Sequence, residues 1–63
     1  MNFTVYSKDG CPYCTQIKQV LDLCQFKYQE YKLDEHFDRF AFYEEFGGNS
    51  TFPQVLLNNK KLG

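Results

Sequence analysis

Two cysteines with two residues between them, in the Cys-Pro-Tyr-Cys motif at positions 11–14, constrain the fold of this chain more than any other feature. The preceding residues 3–7 are rich in β-branched and aromatic side chains, which favours a strand. The following residues carry apolar side chains at helical spacing, from Ile17 to Cys24. We therefore expect Cys11 at a helix N-terminus, where free backbone N–H groups and the helix dipole stabilise a thiolate. Two thiols placed in this way can cycle between a dithiol and a disulfide.

The rest of the chain predicts a β-α-β-α-β-β order. The predicted elements are a strand over 3–7, a helix over 12–25, a strand over 26–33, a helix that Asp34 caps and that runs to about Phe46, and two strands over 55–57 and 60–63. Gly47 and Gly48 end the second helix, and Asn58 and Asn59 turn the last hairpin. In the second strand the alternation of apolar and polar positions is interrupted once, which indicates a bulge or burial on both faces. The first three elements should form a right-handed parallel unit, so the sequence predicts an α/β fold with a four-stranded mixed sheet flanked by helices.

Charge and hydropathy exclude several classes of partner. The net charge is −1 with acidic and basic residues interspersed, so the sequence shows no basic patch that would bind nucleic acid or an anionic membrane. No apolar run approaches the length of a membrane span, and the N-terminus lacks the basic and apolar regions of a signal peptide. Three cysteines do not fit a small secreted domain that several disulfides stabilise. We expect a cytoplasmic protein.

Aromatic residues should supply most of the core of so short a chain. Seven Phe and five Tyr provide large buried areas, and the Phe-rich second helix is interpreted as core. Cys24 lies on the apolar stripe of the first helix, which predicts a small buried hydrophobe rather than a redox sensor or metal ligand. His36 has no partner in the sequence pattern and is predicted to be a surface histidine. Arg39 and the acidic residues near it are interpreted as a solvated helix face.

Two motifs together make the chain resemble the glutaredoxin family, of the dithiol type. The first is the Cys-Pro-Tyr-Cys motif with its lead-in Tyr6-Ser7-Lys8, and the second is Thr51-Phe52-Pro53-Gln54, which is similar to the family's Thr-Val-Pro segment. The resemblance covers the chain up to Gly63, and it implies a thioredoxin-like fold. It also implies glutathione as co-substrate.

The resemblance assigns roles to seven residues of this sequence. Cys11 would be the nucleophile and Cys14 the resolving thiol in the reduction of protein disulfides and glutathione mixed disulfides. The family's proline that matches Pro53 is cis and packs against the active-site disulfide, and the backbone of Phe52 would pair with glutathione. The remaining members of the implied glutathione groove are Lys8, Tyr13 and Thr51, of which Lys8 would also favour the Cys11 thiolate by its charge. The implied partners are glutathione and disulfide-containing or glutathionylated proteins, with ribonucleotide reductase as a client by analogy.

The chain departs from the family pattern at its end. Family members continue past Leu62 and Gly63 with a second Gly, an Asp that holds the amino end of glutathione, and a last helix that covers the sheet. We therefore expect residues 1–63 to form a single glutaredoxin-like domain that is incomplete at its C-terminus and lacks the last helix: a fragment, a truncation at a disordered tail, or a chain that is completed by pairing with a partner. Such a domain exposes one sheet face, which favours self-association or completion by a partner.

Two other functions compete with this prediction. A small redoxin that thioredoxin reductase reduces would use the same two thiols. A metal-binding module, or one that bridges a [2Fe-2S] cluster between two chains, would use the Cys-x-x-Cys pair as ligands. Cys24 and His36 do not easily converge on Cys11 and Cys14, and the bulky Tyr13 disfavours a cluster, so we expect no metal.

Overall fold

A four-stranded mixed sheet with one helix on each face forms the fold, and the computed structural model describes residues 2–62. The elements in chain order are β1 (Phe3–Ser7), α1 (Pro12–Leu23), β2 (Tyr28–Lys32), α2 (Arg39–Phe46), β3 (Gln54–Leu57) and β4 (Lys60–Lys61). The strand order in the sheet is β2-β1-β3-β4, in which β1 and β2 are parallel and the other pairs are antiparallel. The predicted element order and the mixed sheet are thereby confirmed.

The central strand β1 separates the two layers of side chains. Val5 pairs with Glu30 of β2 on one side and with Val55 of β3 on the other. Because side chains alternate along a strand, Val5 and Ser7 share one face of the sheet and Tyr6 lies on the opposite face. Val5 and Ser7 are fully buried, so the sheet face that they share is covered at this point.

Helix α1 lies on the face of Val5 and Ser7, and it presents Cys14 and Leu21 as its buried residues. It ends at Leu23, with Cys24 as its C-cap and Gln25 in the left-handed region at φ 59°, slightly before the predicted end. Cys14 and Leu21 are seven residues apart and therefore point in almost the same direction. This direction faces the sheet.

Cys24 is exposed, so its predicted burial is wrong. The apolar stripe that supported the prediction does not face the sheet as a whole: Leu21 is buried, whereas Ile17, Val20 and Cys24 lie about 60–120° around the helix from Cys14. Val20 on this flank is accordingly 51% exposed. Cys24 also lies at the end of the helix, where its backbone N–H bonds the Val20 carbonyl.

Strand β2 is shorter than predicted but runs in continuous register with β1, from Phe3 opposite Tyr28 to Ser7 opposite Lys32. Tyr28 and Tyr31 lie on opposite faces, and both are partly buried. The interrupted alternation in the sequence therefore reflects burial on both faces of the sheet, which was one of the two predicted explanations.

The predicted N-cap of α2 is wrong, because the helix begins four residues later. Asp38 is the N-cap, and its Oδ1 accepts a hydrogen bond from the Ala41 N–H at 2.8 Å. Asp34 instead has a φ of 69° in a tight loop, in which its N–H donates to the Phe37 carbonyl at 2.7 Å. Residues 33–38 therefore form a turn between β2 and α2, and Phe37 lies outside the helix. At the other end Gly47 is the C-cap, as predicted, with a φ of 103°.

Phe42 is the centre of an aromatic cluster on the α2 face of the sheet. Its ring centroid lies 4.2 Å from that of Phe52, 4.9 Å from that of Phe46 and 5.8 Å from that of Phe37. Tyr6 of β1 contacts the same group through Phe46, at 5.0 Å between ring centroids. The prediction that the aromatic residues of this segment form core is confirmed for these residues.

Other apolar residues of α2 are exposed: Phe40 is 73% exposed, Tyr43 is 36% exposed, and Ala41 is also exposed. Phe42 and Phe46 are four residues apart and point to the sheet, whereas Phe40 lies on another side of the helix. The apolar face of α2 is therefore narrower than the sequence predicts.

The C-terminal hairpin forms as predicted. Asn58 and Asn59 both have positive φ, at 51° and 68°, as a two-residue hairpin turn requires. Leu62 continues the pairing through its N–H, which donates to the Val55 carbonyl at 2.8 Å. Gly63, the predicted end of the last strand, lies outside the described residues. Within residues 2–62, no helix is long and apolar enough to cross a membrane.

Candidate active site

The two cysteines of the Cys-Pro-Tyr-Cys motif form a disulfide at the N-terminus of α1. Their Cα atoms are 5.3 Å apart, within the range of about 4.4–6.8 Å that disulfides adopt. Cys11 is the N-cap, and its Sγ accepts a hydrogen bond from the Cys14 N–H at 3.2 Å. The sequence prediction for Cys11 is thus confirmed, and a backbone donor already points at its sulfur.

The local sequence explains how Cys11 reaches this position. Gly10 has a φ of 71°, a conformation that side chains disfavour, and it turns the chain from β1 into the helix. Pro12 occupies the first helical turn, where its missing N–H costs nothing. The turn and the proline together fix Cys11 between the end of β1 and the first turn of α1.

The two sulfurs are not equivalent in exposure. Cys14 is 1% exposed and Cys11 is 9% exposed, although the same disulfide joins them. Tyr13, between them, is 69% exposed. A molecule that approaches from solvent therefore meets Tyr13 and Cys11 before Cys14.

The segment Thr51-Phe52-Pro53 contributes a second part of the candidate site. The Phe52–Pro53 peptide bond is cis, as the family resemblance implied. Phe52 stacks on Phe42 of the aromatic cluster, which fixes this loop to α2. Thr51 is exposed, and its carbonyl accepts a hydrogen bond from the Gln54 side chain at 2.8 Å.

Lys8 links the loop before Cys11 to this segment. Its Nζ lies 5.5 Å from the centroid of the Phe52 ring, within the range of a cation–π contact. Lys8 and Phe52 were both predicted as members of the site, and the structure brings them together.

A polar cavity of about 300 Å³ adjoins Lys8. Its lining residues are Lys8, Asp9, Leu33, Asp34, Glu35 and Arg39. Arg39 is the residue that sequence reasoning missed, because it was interpreted as part of a solvated helix face. Its place at the cavity follows from the start of α2 at Arg39, which the sequence pattern did not locate.

An ion pair fastens the loop before Cys11 to β2. Lys32 Nζ lies 2.9 Å from Asp9 Oδ1. The hydrogen bond and charge of Lys32 lower the pKa of Asp9, and the same contact raises the pKa of Lys32. Asp9 and Lys32 therefore keep opposite charges throughout the neutral pH range.

Glu30 forms a second charged contact, beneath α1. Its Oε2 accepts hydrogen bonds from Lys18 Nζ at 2.8 Å and from Ser7 Oγ at 2.6 Å. The Lys18 hydrogen bond, followed by that of Ser7, lowers the pKa of Glu30. The sequence pattern did not indicate this cluster, since its three members come from three different elements.

The residues that were considered as extra metal ligands have other roles. His36 is exposed, as predicted, and its Nδ1 accepts a hydrogen bond from the Lys32 N–H at 3.0 Å. Cys24 caps the far end of α1 from Cys11. In the described part of the chain, no three His, Cys, Asp or Glu side chains are grouped so that they could hold a metal ion.

The fold and the site together define a thioredoxin-fold protein with a Cys-x-x-Cys disulfide at the start of its first helix and a cis-proline loop. The Glutaredoxin family model matches residues 3–62. This chain belongs to the glutaredoxin family.

Curated relatives carry the same family name. A glutaredoxin of Ricinus communis is 37% identical over 62 residues, and the match covers 94% of this chain and 61% of that protein. Glutaredoxin 1 of Rickettsia typhi is 31% identical over 61 residues, covering 94% of this chain and 59% of the relative. The chain thus spans about 60% of the length of these relatives.

Solved structures confirm the thioredoxin-like fold. Glutaredoxin 1 from Francisella tularensis, complexed with cacodylate, superposes with a TM-score of 0.83 at 28% identity, covering 98% of this chain and 80% of that one. A buckwheat glutaredoxin in complex with glutathione superposes with a TM-score of 0.81 at 31% identity, covering 97% of this chain and 58% of that one.

Proposed function

We propose that this chain is a thiol-disulfide oxidoreductase that uses glutathione as its reductant. The observation that carries the proposal is the Cys11–Cys14 disulfide at the N-cap of α1, with Cys11 the more accessible sulfur. Attack on a disulfide requires a thiolate that the substrate can reach. The helix N-terminus and the Cys14 N–H favour this form of Cys11.

For a glutathionylated substrate, Cys11 acts alone. The Cys11 thiolate attacks the glutathione sulfur, a Cys11–glutathione disulfide forms, and the substrate leaves as a thiolate that takes a proton from water. A second glutathione thiolate then attacks the sulfur of the bound glutathione. Oxidised glutathione leaves, and the Cys11 thiolate is regenerated.

For a protein disulfide, Cys14 completes the reaction. Cys11 attacks one substrate sulfur and releases the other as a thiolate. The Cys14 thiolate then attacks Cys11 Sγ, which forms the Cys11–Cys14 disulfide and releases the second substrate thiolate. Two glutathione molecules reduce this disulfide to the dithiol and become oxidised glutathione. The burial of Cys14 supports its role as the resolving thiol, because an external disulfide does not reach it first.

The proposed glutathione groove consists of Lys8, Tyr13, Thr51, Phe52 and Pro53, with Arg39 added. Lys8 and Arg39 line one cavity, and glutathione carries two carboxylates that such cations bind. The buckwheat glutaredoxin that this chain resembles is a complex with glutathione, which also supports the proposal. Glutathionylated and disulfide-containing proteins would be its partners, and the cytoplasm its proposed location.

The simplest test of this function is to measure which reductant supports turnover. The reduced chain should turn over a mixed disulfide of glutathione and a small thiol when glutathione and glutathione reductase regenerate it. Turnover with thioredoxin reductase alone, and none with glutathione, would contradict the proposal and favour a thioredoxin-reductase-dependent redoxin. The Cys24→Ser variant is the matched control, since Cys24 is exposed and distant in the helix from Cys11, and it should retain full activity.

Single cysteine substitutions test the two roles. Cys11→Ser should abolish all glutathione-linked reduction. Cys14→Ser should retain the reduction of glutathionylated substrates, which needs Cys11 alone, and lose most of the reduction of protein disulfides. An active Cys11→Ser variant would show that the roles are assigned wrongly.

A further inference from the structure

The contact between Ser7, Lys18 and Glu30 joins three elements, two of which flank the redox motif in the chain. Ser7 ends β1, Lys18 lies in α1 and Glu30 lies in β2. Both hydrogen bonds end on the same oxygen, Glu30 Oε2. Among residues 2–62, Ser7 is the polar residue that is fully buried, and it is only 1% exposed. A buried hydroxyl whose partner is a charged carboxylate holds that carboxylate at a defined position.

The cluster is connected to both cysteines along the chain. Lys18 is four residues after Cys14 in α1, and Cβ atoms at this spacing are about 5–6 Å apart on the same face of a helix. Ser7 precedes the turn that delivers Cys11 by only a few residues. The ion pair therefore joins β2 to α1 at a position one helical turn after Cys14.

Two ion pairs balance four of the charges near the motif. The charged groups on the elements packed around it are Lys8 and Asp9 of the loop, Lys18 of α1, Glu30 and Lys32 of β2, and Asp34, Glu35 and Arg39 of the cavity. Asp9 pairs with Lys32, and Glu30 pairs with Lys18. Removal of one partner leaves an unbalanced charge one helical turn below Cys14.

We propose that the Lys18–Glu30 ion pair, anchored by Ser7, is a positioning device for the redox motif. It holds α1 in a fixed position on the sheet. Because its two charges cancel, it adds no net charge near the two sulfurs. The thiolate of Cys11 is then controlled by the helix N-terminus and by Lys8. This inference rests on the proposed thiol-disulfide function, for which it adds two residues that do not touch the substrate.

The two charges should act in opposite directions. Lys18→Met leaves the Glu30 carboxylate unpaired, and this negative charge disfavours a thiolate above it. Glu30→Gln leaves the Lys18 ammonium unpaired, which favours the thiolate. An unpaired unit charge that water partly screens changes the thiolate fraction of Cys11 by about two- to fivefold.

The rate at which iodoacetamide alkylates Cys11 measures the thiolate fraction without any use of glutathione. The reduced chain is compared from pH 4 to 9 in a Cys24→Ser background, with the alkylated residue identified by peptide mass. The variants are Lys18→Met, Glu30→Gln, the double variant and Lys18→Arg. Lys27→Met and Glu44→Gln are matched controls, because both residues are exposed and lie away from the motif, in the segment before β2 and in α2.

The expected result is a two- to fivefold slower alkylation for Lys18→Met and a similarly faster one for Glu30→Gln at pH values where the thiol is mostly protonated. The double variant and Lys18→Arg should return close to the parent rate, and the two controls should match it. Circular dichroism checks that each variant is folded. Changes in the same direction for both single variants, or rates equal to the parent, would overturn the proposal.

Failure of this inference is distinguishable from failure of the proposed function. If glutathione does not support turnover but the alkylation rates move in opposite directions, the ion pair acts as proposed and the reductant is wrong. If glutathione supports turnover and the alkylation rates do not move, the function stands and the ion pair has no part in it.

Discussion

At the scale of single residues, Lys8 and Arg39 are the two cations of the proposed glutathione groove. Lys8 contacts the Phe52 ring and lines the same cavity as Arg39. The cavity also contains Asp9, Asp34 and Glu35, but Asp9 is neutralised by Lys32. Lys8 and Arg39 therefore share the cavity with two further carboxylates, Asp34 and Glu35, and the proposed binding of glutathione through its carboxylates depends on the two cations.

Arg39 is the clearer test of these two, because Lys8 also contacts the Phe52 ring and lies three residues before Cys11 in the sequence. Arg39→Gln should raise the KM for glutathione about threefold to fivefold and leave kcat within about twofold, since an exposed charge pair contributes up to about 1 kcal/mol of binding. Steady-state kinetics at several salt concentrations measure both constants. Lys60→Gln, at the exposed hairpin, is the control with a similar loss of charge. An unchanged KM in Arg39→Gln would remove Arg39 from the groove.

The position of Cys11 and Cys14 at the start of α1 was predictable from the sequence, because they lie in a short motif between a strand pattern and a helix pattern, whereas the cis bond before Pro53 was implied by the family resemblance. Cys24 was predicted wrongly. Its exposure depends on which flank of α1 faces the sheet, and the structure buries the flank of Cys14 and Leu21 rather than the whole apolar stripe.

At the scale of elements, α2 depends on its N-cap at Asp38. Asp38→Ala should lower the free energy of unfolding by about 1 kcal/mol, since the Ala41 N–H loses its acceptor. Urea unfolding followed by circular dichroism measures this. Asp38→Asn keeps an acceptor oxygen and should be close to the parent. A greater loss in Asp34→Asn than in Asp38→Ala would contradict the assigned start of α2.

The contact of α1 with β2 should weaken in acid. The pKa of Glu30 in the folded chain is below its ordinary value of 4.5, because Lys18 and Ser7 donate to it. A lowered carboxyl pKa stabilises the fold fully above the unfolded value, and this contribution is lost as pH falls from about 4.5 through the lower folded value. Thermal unfolding between pH 7 and 3 should show this loss in the parent and a shallower acid dependence in Glu30→Gln. Equal acid dependence in both proteins would contradict it.

The strands and α1 were predictable from periodicity and from the turn residues. The start of α2 was not, because two aspartates each fit the local pattern of an N-cap. Contacts from outside the helix select Asp38: the Lys32 carbonyl accepts bonds from the N–H groups of Glu35 and His36, and Leu33 bridges to Phe37. These contacts close the preceding turn and delay the helix.

At the scale of the whole molecule, the aromatic cluster connects the site to the rest of the fold. Phe42 of α2 packs on Phe52 of the cis-proline loop, and Phe46 packs on Tyr6 of the central strand. The loop that carries Thr51 and Pro53 is therefore supported by the core on this face of the sheet.

Phe42→Ala should destabilise the chain by about 3–5 kcal/mol, the usual cost of removing a buried Phe side chain. Such a loss is a large part of the stability of a small domain, so the variant should be partly unfolded at 25 °C. Phe40→Ala is the matched control in the same helix and should change stability by less than about 0.5 kcal/mol. Urea unfolding of both variants measures the difference. Similar losses in the two would contradict the assignment of the core.

The mixed sheet and its parallel β1-α1-β2 unit follow from general rules of chain connection, which is why they were predictable. The Ser7, Lys18 and Glu30 cluster was not, because its members are far apart in sequence and meet only when α1 lies on β1 and β2. Polar contacts of this kind depend on tertiary packing rather than on local pattern.

One measurement tests the central claim, that Cys11 exchanges disulfides with glutathione, most directly. Cys14→Ser is reduced, mixed with oxidised glutathione and analysed by intact and peptide mass. The Cys11 thiolate should attack one glutathione sulfur and release the other glutathione as a thiolate, so the product should carry one glutathione on Cys11. An adduct on Cys24 in its place, or no adduct while Cys11 is reduced, would contradict the account.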